Sequence, residues 1–94
     1  MTTDELRTAD PAVLTAPLRA LREDAAGNWD AAHREVQDDD SAEAAWVHAY
    51  LHRKEGDFSN AGYWYARANQ PRFQGSLESE WEEIAQALLA REDS

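Results

Sequence analysis

Cysteine is absent from the 94 residues. That excludes disulfides, thiolate nucleophiles and paired-cysteine metal sites, and it fits a cytoplasmic protein. Long apolar runs are missing too: no stretch approaches the roughly 20 residues that cross a bilayer. The opening Met1-Thr2-Thr3-Asp4-Glu5 lacks the basic-then-apolar layout of a signal peptide, which again leads to the expectation of a cytoplasmic location. Positive charge is scarce. Nine Lys and Arg face nineteen Asp and Glu, for a net charge of −10. Such a chain is repelled by phosphate backbones and anionic lipid, so neither nucleic acid nor a membrane surface is an expected partner. The acid clusters Asp38-Asp39-Asp40 and Glu78, Glu80, Glu82 and Glu83 read as solvated faces or helix-start acids. There is no nucleophile motif, phosphate loop or dinucleotide glycine signature.

The residues that build strands are few as well, while alanine is abundant, which favours helix throughout. The expected fold is all-α, a single domain over 1–94 with about five helices in antiparallel pairs, and with 1–10 and 92–94 frayed. The first helix runs from about Pro11 to Ala25, with Thr15 capping a restart before Pro17 and Gly27 closing it. The second begins at the cap Asn28 and ends near Gln37. Its inner stripe is Trp29, Ala32, His33 and Val36. The third runs from about Ser41 to Lys54, with Asp40 and Glu43 as a capping box. It is apolar almost all round, as a central, buried helix is. The fourth starts after Gly56-Asp57 and reaches about Asn69. The fifth starts after Ser76 and buries Leu77, Trp81, Ile84, Ala85 and Leu88. Four tryptophans and three tyrosines, against one methionine, supply the large buried side chains of so small a core.

The segment from Gly56-Asp57-Phe58 through Ala61 and Tyr65 to Ala68 resembles the turn and second helix of a tetratricopeptide repeat. Ala45 and Ala49 fall on further positions of that pattern, and Gly27-Asn28-Trp29 with Ala32 and Val36 echoes it. His48 and His52 stand where such repeats place packing residues, and the proline expected after Ala68 comes at Pro71. The resemblance implies helix-pair geometry over about 27–71 and a tetratricopeptide-like array or compact bundle. The wording Trp29-Asp-Ala-Ala-His33, then Trp46-Val-His48-Ala-Tyr-Leu-His52-Arg-Lys-Glu55-Gly-Asp, then Asn60-Ala-Gly-Tyr63-Trp64-Tyr65 also resembles a group of small microbial proteins of unknown function. That likeness implies no activity.

All three histidines fall in one region. His48 and His52 lie four apart, with Glu55 three further on, so they stack along one helical face. His33, on the neighbouring helix, reaches the same space. His33, His48, His52 and Glu55 are therefore the candidate catalytic residues. The same three imidazoles are candidate ligands for a divalent metal such as zinc. The competing reading makes them core histidines tied to acids or tryptophans. Trp29, Trp46, Tyr63, Trp64 and Arg67 are the candidate ligand-binding residues, or else core. Arg53, Arg67 and Arg72 form a candidate anion site beside Tyr63 and Trp64, or else surface ion pairs. The first expectation for function is a small helical-repeat-like module that binds a protein or ligand, as a homodimer through the surplus aromatics of the fourth helix. The alternative is a small metal- or histidine-dependent enzyme.

Overall fold

The computed structural model describes residues 1–92; Asp93 and Ser94 of the expected frayed tail lie outside them. Among the described residues there are six α-helices and no strand. They are α1 (Thr3–Thr8), α2 (Ala16–Ala25), α3 (Trp29–Gln37), α4 (Ala42–Lys54), α5 (Phe58–Ala68) and α6 (Leu77–Glu92). The sequence reading places no firm helix before Pro11, yet α1 forms there. Thr2 and Glu5 close a reciprocal capping box, and Leu6 is fully buried, so the segment is held at its start and its middle.

Local chemistry accounts for the other helix boundaries. Pro11–Val13 makes one tight 3₁₀ turn, and α2 restarts at Ala16 with Pro17 in its first turn, where its missing N–H costs nothing. Ser41, rather than Asp40, caps α4 by accepting the Ala44 N–H at 3.1 Å, which replaces the expected Asp40–Glu43 box. Asp57 caps α5 through the Asn60 N–H at 3.2 Å. Gly27 and Gly56 take φ of +87° and +86° just after α2 and α4, a conformation open to glycine at little cost.

Helix α4 is the axis of the molecule. Every residue from Ala44 to His52 is buried, and the helix packs against α2, α3, α5 and α6. Helix α6 also packs on α1 and α2, which closes the helices into a compact bundle. Two indole N–H groups tie the layers by donating to backbone carbonyls: Trp29 to Leu51 and Trp81 to Leu21, each at 2.9 Å.

Two buried carboxylates face α4, each held by a tyrosine and a cation. Asp24 of α2 accepts from the Tyr50 hydroxyl at 2.6 Å and from Lys54 at 2.8 Å. Glu80 of α6 accepts from the Tyr65 hydroxyl and from Arg53 at 2.9 Å. Glu80 is fully buried, so its place in an acidic run misleads: it is an interior strut, not part of a solvated face. Burial raises its pKa, and the bonds from Tyr65 and Arg53 oppose that rise. Burial and the adjoining carboxylates push both phenols well above the usual tyrosine range, so each stays protonated as a donor. Replacing Arg53 by methionine keeps the apolar stem but leaves Glu80 without its counter-charge. The expected loss is about 3 kcal/mol, read from urea denaturation. A loss under about 1 kcal/mol, the scale of an ordinary surface substitution, would contradict this role.

Candidate functional site

Helices α3 and α4 each present aromatic or imidazole rings four residues apart, the spacing that puts side chains one above the other. From α3 come Trp29 and His33, stacked with centroids 5.1 Å apart and planes 11° apart. From α4 come His48 and His52, stacked at 4.8 Å and 18°. Trp64 of α5 covers the other side of His48 at 3.9 Å and 16°. The His33 ring stands across this column, at 82° to His48 and 81° to His52. The two stacks thus meet nearly at right angles, and the edge of one ring meets the others.

The meeting point is made of nitrogen. His33 Nε2 and His48 Nε2 lie 3.0 Å apart, and one ring nitrogen from each of His33, His48 and His52 falls within 4.8 Å of the others. His52 Nδ1 bonds Glu55 Oε1 at 2.6 Å. A carboxylate only accepts, so Nδ1 carries the proton and the neutral ring keeps its lone pair on Nε2. Among the described residues, His48 Nδ1 is the one buried side-chain polar atom without a hydrogen-bond partner.

Electrostatics keep His48 and His33 neutral. Burial first, then the neighbouring His33 and His52, lowers the pKa of His48 to about 4. Burial, then His52, also lowers that of His33, against the opposing pull of Glu55 and Asp30. At neutral pH both rings therefore offer lone pairs and not charge.

The three histidines and Glu55 expected from spacing are thus brought together. Of the expected ligand-binding residues, Trp29 and Trp64 sheath the cluster. Tyr63 meets Trp64 edge-on at 5.1 Å and is 55% exposed. Arg67 lies over both rings, 5.1 Å from Trp64 and 5.9 Å from Tyr63. Trp46 is elsewhere: its ring lies under Arg91 at 5.7 Å and makes no ring contact with the cluster among the described residues. Asp57 is the residue that spacing misses. Its carboxylate falls within 4.8 Å of ligating atoms of His52 and Glu55. The only sequence signal for it is its capping position one turn beyond α4. Five surface cavities reach at most about 440 Å³, and none of the five is lined by the imidazoles. The cluster is ring-sheathed, with His48 and His52 buried and His33 half-buried.

No family model matches the chain, and neither a curated protein nor a solved structure matches it.

The lowered pKa values of His48 and His33 make stability depend on pH. Folded His48 takes a proton only near pH 4, while the unfolded chain takes it near 6.5. Stability held above pH 6.5 is therefore lost as the pH falls towards 4, and His33 adds in the same direction. Between pH 7 and pH 5 the loss from His48 is on the order of 2 kcal/mol. Urea midpoints of chelator-treated protein at pH 7 and pH 5 measure it. His48→Phe keeps a ring against Trp64 and is expected to flatten the dependence. A wild-type protein equally stable at both values would contradict the lowered His48 pKa.

Proposed function

We propose that this chain is a metal-binding helical protein that takes one divalent transition ion, of the zinc class, through His33, His48 and His52. The observation that carries the reading is the 3.0 Å approach of His33 Nε2 and His48 Nε2. Two lone pairs at that distance repel, so either one neutral ring donates its Nε2–H to the other or a cation lies between them. The hydrogen bond serves the pair alone. A metal ion serves the pair and engages the third ring as well.

The donor chemistry supports the same reading. Three imidazoles without thiolate suit zinc, cobalt, nickel or copper and not calcium or magnesium. Tetrahedral zinc, with Zn–N of about 2.0–2.1 Å, sets its nitrogen ligands about 3.3 Å apart. The His33–His48 pair needs to open by a few tenths of an ångström to admit it. Glu55 orients His52 as carboxylates orient ligating histidines elsewhere. Trp64 and Trp29 fix ring planes by stacking. The net charge of −10 draws cations to the chain. In this reading the four residues expected to be catalytic serve as three ligands and one orienting group.

Protein made without an affinity tag or nickel column, dialysed against zinc and measured by elemental analysis, is expected to hold one ion per chain. His33→Ala and His48→Ala are expected to lose it. At 100-fold excess over Kd the ion stabilises the fold by about 2.7 kcal/mol. For a domain of this size that is a rise in Tm of about 10 °C or more. Binding unchanged in His33→Ala, or no zinc retained by the wild type, would overturn the proposal.

A second reading, a protein-binding surface that pairs two copies of the chain, rests on exposed Tyr63 with Arg67 lying over it and Trp64. Sedimentation would then show a dimer that Tyr63→Ala weakens. A strict monomer would remove that reading and leave the metal site untouched.

A further inference from the structure

A second site, independent of the histidines, lies on the opposite side of α5's buried stripe. The sequence groups Arg53, Arg67 and Arg72 as one candidate anion site. The structure divides them. Arg67 stays with Tyr63 and Trp64, whereas Arg53 and Arg72 line a crevice of about 220 Å³ with Phe58, Tyr65 and Phe73.

Arg72 is the informative residue. Three of the chain's nine bases, Arg34, Arg67 and Arg72, make no ion pair among the described residues, and Arg72 is the one that lines this crevice. Two contacts define where its exposed guanidinium lies. Nη1 donates to the Phe58 carbonyl at 3.2 Å, and the guanidinium lies directly on Gly62 of α5, where a Cβ would overlap it. The overlapping atoms are the far end of a flexible side chain, so alanine at 62 moves the guanidinium and leaves the helix intact. Arg53, across the crevice, is already paired with Glu80 and with the Gly75 carbonyl, and it lies 5.5 Å from the Phe73 ring. Its charge is therefore answered inside the fold, and Arg72 leaves one positive charge uncompensated beside aromatic walls.

We propose that this crevice binds a small monoanion with an apolar body, such as a monocyclic aromatic carboxylate. The carboxylate pairs with Arg72 in the two-pronged manner that guanidinium allows. The ring lies among Phe58, Tyr65 and Phe73. The volume falls below the roughly 300–1,000 Å³ of pockets for larger ligands, which sets the size limit. Because the chain as a whole is strongly negative, a multiply charged anion is repelled more than a monoanion.

Benzoate is the probe, followed by two-dimensional amide NMR of the ¹⁵N-labelled full chain. Saturable shifts are expected at Gly62, Phe73 and Gly75. Benzyl alcohol, with the same ring and no charge, is expected to give none. Arg72→Met is expected to weaken benzoate about tenfold or more, since a charge-assisted pair is lost. Gly62→Ala tests the same point without touching the charge: its methyl group displaces the guanidinium while favouring helix, so affinity falls and helical content does not. No saturable shift with benzoate, equal binding of benzyl alcohol, or full affinity in both variants would overturn the proposal. None of these outcomes depends on whether the histidines bind metal.

Discussion

Everything distinctive in this molecule follows from burying α4 around its whole circumference. A helix with neighbours on all sides cannot send its polar side chains to water, so each must find its partner inside. Along α4 those side chains are His48, Tyr50, His52, Arg53 and Lys54. Tyr50 and Lys54 are answered by Asp24, and Arg53 by Glu80, in groups where donors and acceptors are matched. The histidines are answered differently. Their partners are one carboxylate, another histidine and two indole faces, and one nitrogen is answered by nothing. Burial of an unmatched polar atom costs about 1–3 kcal/mol, which the packing around it must offset.

How much of this was legible in the sequence depends on whether a feature is local. The all-α class, the central place of the third expected helix and the glycine stops at Gly27 and Gly56 were legible, because composition and periodicity act over a few residues. So was the convergence of His33, His48 and His52, since a 3.6-residue repeat on two adjacent helices leaves little freedom. The α1 helix was not, because its anchor is the long-range burial of Leu6. Nor was the interior role of Glu80: nothing in a run of glutamates marks the one that meets Arg53 and Tyr65 across the bundle. The consecutive Tyr63, Trp64 and Tyr65 show both sides at once. Helical geometry requires them to diverge, but only the packing tells that Tyr63 meets solvent, Trp64 meets His48 and Tyr65 meets Glu80.

The aromatic surplus also takes on a purpose beyond volume. Trp29 and Trp64 fill space, as four tryptophans in a small core must, but each lies flat against an imidazole. Stacking fixes a ring's plane while leaving its edge nitrogens free, which a hydrogen bond to the same ring would not do. Two orthogonal stacks therefore orient the His33 and His48 edges towards each other, so that their Nε2 atoms meet at 3.0 Å. The same packing excludes water, and that exclusion keeps His48 from taking a proton at neutral pH.

On the proposed metal reading, the ion competes with a hydrogen bond and not with a charge. A neutral imidazole carries one N–H, so a tautomer in which one ring donates Nε2–H to the other joins His33 and His48 with no net charge. That bond serves two nitrogens and leaves His52 out. A divalent ion in the same place would have to displace it and bring charge into a largely buried site, a cost that three donors, the carboxylate behind His52 and the negative field of the chain would offset. The balance between the two states therefore turns on the third ring, the one donor that the hydrogen bond cannot use.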